Sequence, residues 1–143
     1  MLQEYVLSVV VRVIAPDKTV WDAPAAEVRL PALAGPLYIL TDHDPTLAEL
    51  GIGVMCVRAE SEKEWVAIAI MGGFVEVEDN EVTLLVNGAE KGDSIDSETA
   101  LRDFQEAEIR LNRAENNLQE RIQATQAFDR ARARYEAAQG NCS

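Results

Sequence analysis

The order of hydrophobic and polar positions divides the chain into two parts of different character. In the first part, short segments rich in β-branched residues alternate with turn-forming residues such as Pro16-Asp17, Gly51 and Asp79-Asn80. The predicted strands are residues 9–14, 27–30, 54–59, 65–70, 74–77 and 82–86. Short strands at this spacing are typical of an all-β sandwich or barrel.

Three short segments add detail to this first part. Asp79-Asn80 gives the strongest hairpin signal, because it directly joins two strand-like runs. Gly72-Gly73 follows a buried-looking apolar run and fits neither a P-loop nor a dinucleotide fingerprint. We therefore expect a bulge or a close backbone approach there. Val6 and Leu7 would lengthen the first strand, and an alternative start site or a cloning remnant is an equal interpretation of residues 2–8.

After Gly92 the pattern becomes helical, and neither Pro nor Gly occurs again before Gly140. Apolar residues then recur at steps of four and three, in two seams on either side of Asn116-Asn117. The first seam is Ala100, Phe104, Ala107, Leu111, Ala114 and Leu118, and the second is Ala124, Phe128, Ala131, Tyr135 and Ala138. The two asparagines predict a turn between antiparallel helices, and Asp96 or Ser97 is the expected N-cap of the first helix.

Alanine alternates with larger residues along these seams, so the helices can approach closely but bury few methylene groups. The hairpin should be only marginally stable alone, which suits a hinged, mobile element. The predicted fold is β plus α. An N-terminal β-sandwich domain covers residues 1–92, and a C-terminal antiparallel two-helix hairpin covers residues 93–143.

Composition supports one cored domain with a small appendage, since 48% of the 143 residues are apolar and 27% are charged. No apolar run approaches the roughly 20 residues that span a bilayer. The acidic start, with Glu4 and no basic residue before Arg12, does not resemble a secretory signal. We therefore expect a soluble or peripheral protein.

The net charge of −12 argues against nucleic acid or anionic lipid as a primary partner, because both attract patches of lysine and arginine. Every basic residue after Asp93 is an arginine, the side chain suited to bidentate contacts with carboxylates or phosphates. Arg130, Arg132 and Arg134 allow two interpretations. They form a solvated flank near a helix C-terminus, or they latch electrostatically onto an acidic partner surface.

Cys56 and Cys142 are the two cysteines of the chain, and they lie 86 positions apart. Cys56 alternates with valines in a strand-like run and is expected to act as a small buried hydrophobe. Cys142 falls near the end of the chain, and neither residue has the spacing of a metal or redox motif. We expect both to be reduced, in a cytosol-like compartment.

Catalytic chemistry is not indicated. Asp42-His43-Asp44, with Asp22 and Glu27 upstream, is the only cluster that could bind a metal or act in acid/base catalysis, and it has no second histidine. A loop histidine is the simpler interpretation. The serines lie in no nucleophile elbow, and no glycine-rich phosphate loop is present. We expect no catalytic residue, no metal and no cofactor.

Two long segments resemble the epsilon subunits of cyanobacterial and plastid F-type ATP synthases. They are residues 12–22 (RVIAPDKTVWD) and residues 71–92 (MGGFVEVEDNEVTLLVNGAEKG). The resemblance continues through Ile95-Asp96 and into residues 130–134 (RARAR), so it covers nearly the whole chain from Arg12. It implies a β-sandwich followed by a helical hairpin, in agreement with the division drawn from periodicity.

The resemblance also implies a role without catalysis. The sandwich would sit at the foot of the central stalk, against the gamma subunit and the ring of membrane c subunits. The hairpin would fold on the sandwich or extend toward the alpha/beta catalytic head, where it restrains ATP hydrolysis. The chain would be peripheral to the thylakoid membrane, on its cytoplasmic or stromal side, only through the complex.

The resemblance places the contact with the c-ring in the segment that runs from Gly35 to Pro45. Its candidate contact residues are Pro36, Asp42, His43, Asp44 and Pro45. Two positions depart from the family pattern, with Tyr38 in place of a glycine and Asp44 in place of an alanine. If that glycine has positive φ in relatives, Tyr38 carries a steric cost or the loop is rebuilt.

A further departure concerns nucleotide. Some bacterial relatives bind ATP through an Ile/Leu-Asp-x-x-Arg-Ala motif on the hairpin, and here residues 95–100 read Ile-Asp-Ser-Glu-Thr-Ala. Thr99 replaces the arginine, so a principal partner for phosphate is missing. We predict no tight ATP binding by the isolated chain.

Two alternatives from other classes stay open on the residues alone. A free-standing sandwich with an adaptor hairpin, unrelated to energy coupling, would also explain the heptad seams and the acidic surface. An enzyme built on Asp42, His43 and Asp44 is the other. Neither accounts for the long segments that resemble the epsilon subunits.

Overall fold

The computed structural model describes residues 8–59 and 63–142, and within them the chain forms seven strands, one 3₁₀ turn and two α-helices. In chain order these are β1 (Val9–Ile14), β2 (Thr19–Ala32), β3 (Gly35–Ile39), β4 (Thr46–Ala59), β5 (Trp65–Glu78), β6 (Glu81–Val86), β7 (Ala89–Lys91), the 3₁₀ turn Gly92–Ser94, α1 (Ser97–Ala114) and α2 (Leu118–Ala138). The predicted fold class is confirmed. The expected extension of β1 by Val6 and Leu7 lies outside the described residues.

The strands follow the order β1-β6-β5-β4-β2-β3, and β1 also pairs with β2, so the sheet closes on itself as a flattened barrel. The long strand β2 makes this closure possible, because its first half pairs with β1 and its second half with β3 and β4. Inward-facing aliphatic residues fill the interior. Those with almost no exposed surface include Val11, Val13, Val28, Ile39, Val57, Ile68, Ile70, Val75, Val82 and Leu84.

The predicted strands 65–70 and 74–77 are parts of one strand, β5, which bends at Gly72-Gly73. Both glycines have positive φ, +82° and +147°. A Cβ on Gly73 would overlap the carbonyl oxygen of Leu85 on β6, which confirms the expected close backbone approach. The bend also changes which residues face inward, from Ile68 and Ile70 before it to odd-numbered residues after it.

The hairpin predicted at Asp79-Asn80 joins β5 to β6, and both residues have positive φ, 51° and 62°. That combination is the one a two-residue type I′ turn requires, and Asn and Asp tolerate it better than most side chains. This expectation is therefore confirmed.

The two helices lie antiparallel and meet along the predicted seams. The Phe104 ring lies 5.3 Å from the ring of Phe128 and 5.7 Å from that of Tyr135, between centroids. Asn117 begins α2 as its N-cap, with its side-chain oxygen accepting from the Glu120 backbone N–H at 3.0 Å. The turn at Asn116-Asn117 is therefore confirmed.

Candidate functional site

The loop between β3 and β4 contains four of the five residues expected to contact a membrane ring. Asp42, His43, Asp44 and Pro45 gather at one end of the sandwich, beside the β5–β6 turn. The Asp42 backbone N–H donates to Asn80 Oδ1 at 2.6 Å, and Asn80 Nδ2 donates back to Asp42 Oδ1 at 3.3 Å. The loop is thus fixed to the hairpin turn by a reciprocal pair of hydrogen bonds.

Pro36 does not belong to this cluster. It lies at the start of β3, paired with Pro31 of β2, while the loop follows the other end of the strand. About 13 Å of extended chain separates Pro36 from Leu40, since a strand rises about 3.3 Å per residue. Pro36 instead lines a groove with Tyr38 and Cys142. A contact that used the whole predicted set would have to cover both ends of β3.

Tyr38 carries no backbone strain, because it sits in regular pairing with Arg29 and is not among the residues with positive φ. Positive φ occurs instead at Gly35, with +132°, and at Asp42, with 63°. The steric cost considered for Tyr38 is therefore absent. Its ring is exposed, and Arg29 lies 5.9 Å from the ring centroid.

The carboxylates considered as metal or acid/base partners of His43 are engaged elsewhere. Asp22 lies 3.6 Å from Arg12, and Glu27 lies 3.7 Å from Arg58. His43 Nδ1 lies 2.8 Å from the backbone oxygen of Asp44. Within residues 8–59 and 63–142, no group of three or more His, Cys, Asp or Glu side chains could hold a metal ion.

A second candidate surface is the contact between α2 and the sandwich. Ala133 and Ala137, which do not belong to the predicted heptad seam, are buried against Ala67 and Ala69 of β5. The approach is close enough that a Cβ on Gly92 would overlap the Ala137 carbonyl oxygen. The heptad pattern identified the face that α2 turns to α1, but not the small-residue face that it turns to the sheet.

Arg130, Arg132 and Arg134, three of the arginines of α2, have three different environments. Arg134 Nε donates to Glu90 Oε2 on β7 at 2.6 Å, and its Nη1 lies 3.7 Å from Asp103 of α1. The hydrogen bond with Glu90 raises the pKa of Arg134, so its charge is retained at any ordinary pH. The other two arginines, Arg130 and Arg132, lie in different surroundings.

Arg132 pairs with Asp129 one helical turn away, at 3.5 Å, and lies 5.3 Å from the centre of the Phe128 ring. Arg130 is exposed and forms no ion pair with any residue that the structure describes. Arg134 therefore latches the hairpin onto its own sandwich, while Arg130 and Arg132 border a groove between α2 and the Gly72-Gly73 bend.

The end of the chain returns to the sheet, and here one expectation is wrong. Cys56 and Cys142, expected to be reduced, form a disulfide bond with 5.7 Å between their Cα atoms. The antiparallel hairpin brings α2 back over β4, and Gly140, with φ +70°, ends the helix and turns Cys142 toward the strand. The bond could not be predicted from local spacing, because the two cysteines meet only when the hairpin folds back onto the sheet.

Arg29 provides a second anchor for this tail. Its Nη1 donates to the Cys142 backbone oxygen at 2.9 Å, and its guanidinium lies 4.2 Å from the centre of the Trp65 ring. Gln139 also donates to Ser97 Oγ at 2.6 Å, which joins the end of α2 to the start of α1. The hairpin is thus held at both of its ends.

Comparison with known proteins gives one consistent family. The family models described as "ATP synthase, Delta/Epsilon chain, beta-sandwich domain" and "ATP synthase, Delta/Epsilon chain, long alpha-helix domain" match residues 8–92 and 93–139. The epsilon chain of a Synechococcus species is 62% identical over 132 residues, which cover 91% of this chain and 94% of the relative. The chain belongs to the epsilon-chain family of F-type ATP synthases.

The match is to the cyanobacterial type of epsilon chain. A second relative, the ATP synthase epsilon chain of Nostoc punctiforme, is 56% identical and covers 94% of this chain and 98% of its own length. These relatives are the epsilon chain and not a catalytic subunit, which confirms the expectation of a non-catalytic protein.

The epsilon-chain fold is also found in solved structures. A chain of the Euglena gracilis mitochondrial ATP synthase matches with a TM-score of 0.78 and 24% identity, over 93% of this chain and 82% of that one. A chain of the Tetrahymena thermophila enzyme matches with a TM-score of 0.58 and 18% identity, over 95% and 98%. At these identities the likeness supports the fold alone.

The segment that matches the ATP motif of some epsilon-chain relatives lies at the start of α1. Asp96 stands at the N-cap position, as expected, but its carboxylate accepts from Thr99 Oγ1 at 2.6 Å instead of capping the helix backbone. This hydrogen bond lowers the pKa of Asp96. Thr99 therefore supports the local turn in the position where the motif has its arginine, and the absence of tight ATP binding stays a prediction.

The sandwich also has an exposed apolar strip that was not predicted from the sequence. Phe74 and Leu85 lie directly opposite each other on β5 and β6, and Leu47 lies nearby on β4. Their exposed fractions are 54%, 58% and 75%. Alternation along the strands could have indicated these positions, since each lies between inward-facing neighbours.

Within residues 8–59 and 63–142, no helix is long and apolar enough to cross a membrane.

Proposed function

We propose that this chain is a rotor subunit of a proton-translocating F-type ATP synthase, which couples the catalytic head to the c-ring and restrains ATP hydrolysis through its hairpin. The observation that carries the proposal is the separation of the two parts. The sandwich has a complete aliphatic core of its own, whereas the hairpin is docked on its outside through alanines and a few polar contacts.

The sandwich offers surfaces for two partners. The acidic loop from Asp42 to Pro45, fixed by Asn80, is the proposed contact with the c-ring. Pro36 lies at the other end of β3, so it would take part only in a contact that extended along this strand. The apolar strip of Leu47, Phe74 and Leu85 is the proposed contact with the gamma subunit, because exposed apolar patches mark protein interaction sites. The Tetrahymena neighbour, which shares the fold, comes from a central stalk and c-ring assembly.

The hairpin supplies the proposed brake. When it leaves the sandwich, Arg134 loses Glu90 and becomes available, with Arg130 and Arg132, to the alpha/beta catalytic head. An arginine set of this kind suits acidic partner surfaces. The complex as a whole would be associated with a membrane, and the cyanobacterial relatives favour the thylakoid membrane, on its cytoplasmic or stromal side.

The test is deletion of residues 94–143 from the chain in the assembled enzyme. We expect assembly to persist, because the core of the sandwich contains no residue beyond Ala89, and we expect ATP hydrolysis to rise. Loss of assembly would mean that the hairpin is structural, and unchanged hydrolysis would mean that it is no brake.

Single arginine variants refine the test. Arg130→Gln should weaken inhibition without affecting docking, because its side chain forms no ion pair with the sandwich in the described residues. Arg134→Gln removes a docking contact as well as a head contact, so the two variants separate the two roles. Inhibition equal to the wild type in both would favour the solvated-flank interpretation.

A further inference from the structure

The disulfide between Cys56 and Cys142 lies across the one boundary that the proposed brake must open. Cys56 belongs to β4 of the sandwich, and Cys142 follows the end of α2. The hairpin leaves the sandwich after Gly92–Ser94 and is tied back to it at its far end by the bond. With both ends attached, α2 cannot swing away from the sheet while the bond is intact.

We propose that Cys56–Cys142 is a thiol–disulfide exchange site, on which a dithiol reductant acts, and that its redox state decides whether the hairpin is locked on the sandwich or free to leave it. The effect on docking stands on the contacts of this chain alone. The effect on ATP hydrolysis rests on the proposed brake function.

The two sulfur atoms differ in their accessibility. Cys56 lies in the sheet and is 4% exposed. Cys142 is half-buried and lines two surface grooves, one that Cys56 also borders and a second, with Glu64 and Trp65, that Cys56 does not reach. Exchange requires a thiolate to reach one sulfur of the bond, so the reductant should attack at Cys142.

The exchange balances as a two-electron transfer. A thiolate of the dithiol attacks Cys142 Sγ, which forms a mixed disulfide and releases Cys56 as a thiolate that takes up a proton. The second thiol of the reductant then attacks the mixed disulfide and releases Cys142. The reductant leaves as a disulfide, and the chain has gained two electrons and two protons.

Arg29 favours Cys56 as the leaving sulfur. It is the direct cross-strand partner of Cys56 on β2, and its guanidinium is held near the bond by the Trp65 ring and the Cys142 backbone oxygen. A cation beside a sulfur stabilises its thiolate form and makes it a better leaving group.

The contacts that remain after reduction are weak ones. The Arg134–Glu90 pair has roughly a third of each side chain exposed to water, and exposed ion pairs contribute little to stability. The fully buried part of the docking face consists of five alanines and Ile95, and alanines bury little area; larger side chains such as Ile52, Met71 and Tyr135 are only partly buried around it. Without the bond, therefore, the balance between docked and released hairpin becomes close enough for a partner to shift.

The test uses the isolated full-length chain, oxidised or treated with dithiothreitol. Thiol counting with a maleimide should find no reactive cysteine before treatment and two after it. Hydrogen exchange of the amides in α2 should then become about tenfold faster or more, while exchange in β5 and β6 stays unchanged. Cys142→Ser is the matched variant, since it removes the bond from the tail side without altering the sheet.

The outcomes are distinct. Cys142→Ser should show the fast exchange of the reduced chain and should not respond to dithiothreitol. The proposal is overturned if no thiol appears under native conditions, or if oxidised chain, reduced chain and Cys142→Ser exchange alike.

A second arm adds the oxidised and the reduced chain to the catalytic complex and measures ATP hydrolysis. The reduced chain should inhibit ATP hydrolysis more strongly than the oxidised chain. The ratio of the two should be about the factor by which reduction speeds hydrogen exchange in α2. If hydrogen exchange responds to reduction but hydrolysis does not, the exchange site is upheld and the proposed brake fails. If neither responds, the exchange site itself is rejected, and the brake remains subject to the deletion test.

Discussion

Burial of apolar surface stabilises both the sandwich and the docked hairpin, but the two bury very different side chains. The interior of the sandwich is built from valine, isoleucine and leucine, each with almost no exposed surface. The contact between hairpin and sandwich is built from Ala67, Ala69, Ala100, Ala133 and Ala137, with Ile95 as its largest fully packed member. The core of the sandwich is therefore more strongly stabilised than the contact between hairpin and sandwich.

A rough estimate shows the size of this difference. Burial of one large aliphatic side chain stabilises a fold by about 1.5–3 kcal/mol, whereas a single methyl or methylene group contributes about 0.8 kcal/mol. Because its core contains no residue beyond Ala89, we expect the sandwich to keep its structure with the hairpin attached or released. The hairpin depends on the sandwich, on the Arg134–Glu90 pair and on the disulfide for its docked position.

The largest expected effect comes from a change in the sandwich core. Leu84→Ala removes a side chain with no exposed surface, and it should lower the free energy of unfolding by about 2–5 kcal/mol. Urea unfolding of the isolated chain measures this as a lower midpoint at unchanged slope.

The adjacent residue provides the control for this change. Leu85 lies on the same strand with 58% of its surface exposed, so Leu85→Ala should change stability by no more than about 0.5 kcal/mol. Equal effects of the two variants would contradict the division between an inner core and an outer binding strip.

A smaller effect, confined to docking, is expected at Gly92. In Gly92→Ala the new Cβ meets the Ala137 carbonyl oxygen, so α2 must move away from the sheet. Overpacking of this kind costs about 1–3 kcal/mol, which here weakens docking and leaves the sandwich core untouched. Faster hydrogen exchange in α2, at unchanged exchange in β6, is the expected measurement.

Gly88→Ala is the matched control for that variant. The nearest atom to a Cβ at Gly88 is Met71 Cγ at 3.5 Å, an ordinary contact distance. If Gly88→Ala loosened α2 as much as Gly92→Ala, the close approach at Gly92 would not be what sets the docking distance. Both measurements are made on the reduced chain, so that the disulfide does not hold α2 in place.

These contrasts also explain how much of the molecule could be predicted from sequence. Alternation and turn residues indicated β1, β6 and parts of β2, β4 and β5, but not β3 or β7, and the heptad seams indicated the helical hairpin. Both are local patterns with a fixed period. The join of two predicted strands into β5 was missed because two adjacent glycines are typical of a strand end, whereas positive φ at Gly72 and Gly73 here bends one continuous strand.

The candidate site was less predictable, because its parts come together only in three dimensions. Asn80 lies 38 residues from Asp42, with which it exchanges hydrogen bonds, and Cys142 lies 86 residues from Cys56. Ala133 and Ala137 have no periodic signal that separates a sheet-facing alanine from a solvent-facing one. Such contacts depend on where α2 lands on the sheet, which period and composition do not specify.

The smallest expected effect lies within the hairpin and depends on pH. Arg110 Nε on α1 donates to Glu120 Oε1 on α2 at 2.7 Å, and this hydrogen bond lowers the pKa of Glu120. A lowered pKa in the folded state means that the pair contributes above the ordinary glutamate value, about 4.3, and that this contribution is lost as the pH falls through the lowered value.

Glu120→Gln should therefore melt slightly earlier than the wild type at pH 7, in a helix-specific circular dichroism signal, and the difference should shrink as the pH falls below the ordinary glutamate value. Glu108→Gln changes the same charge on the exposed face of α1, away from the α1–α2 pair, and should show no such convergence. A difference that did not shrink as the pH fell would mean that Glu120 acts through packing or as part of the α2 N-terminus. In that case the charge of the Arg110–Glu120 pair would have no part in holding the two helices together, and their contact would rest on the aromatic rings of Phe104, Phe128 and Tyr135.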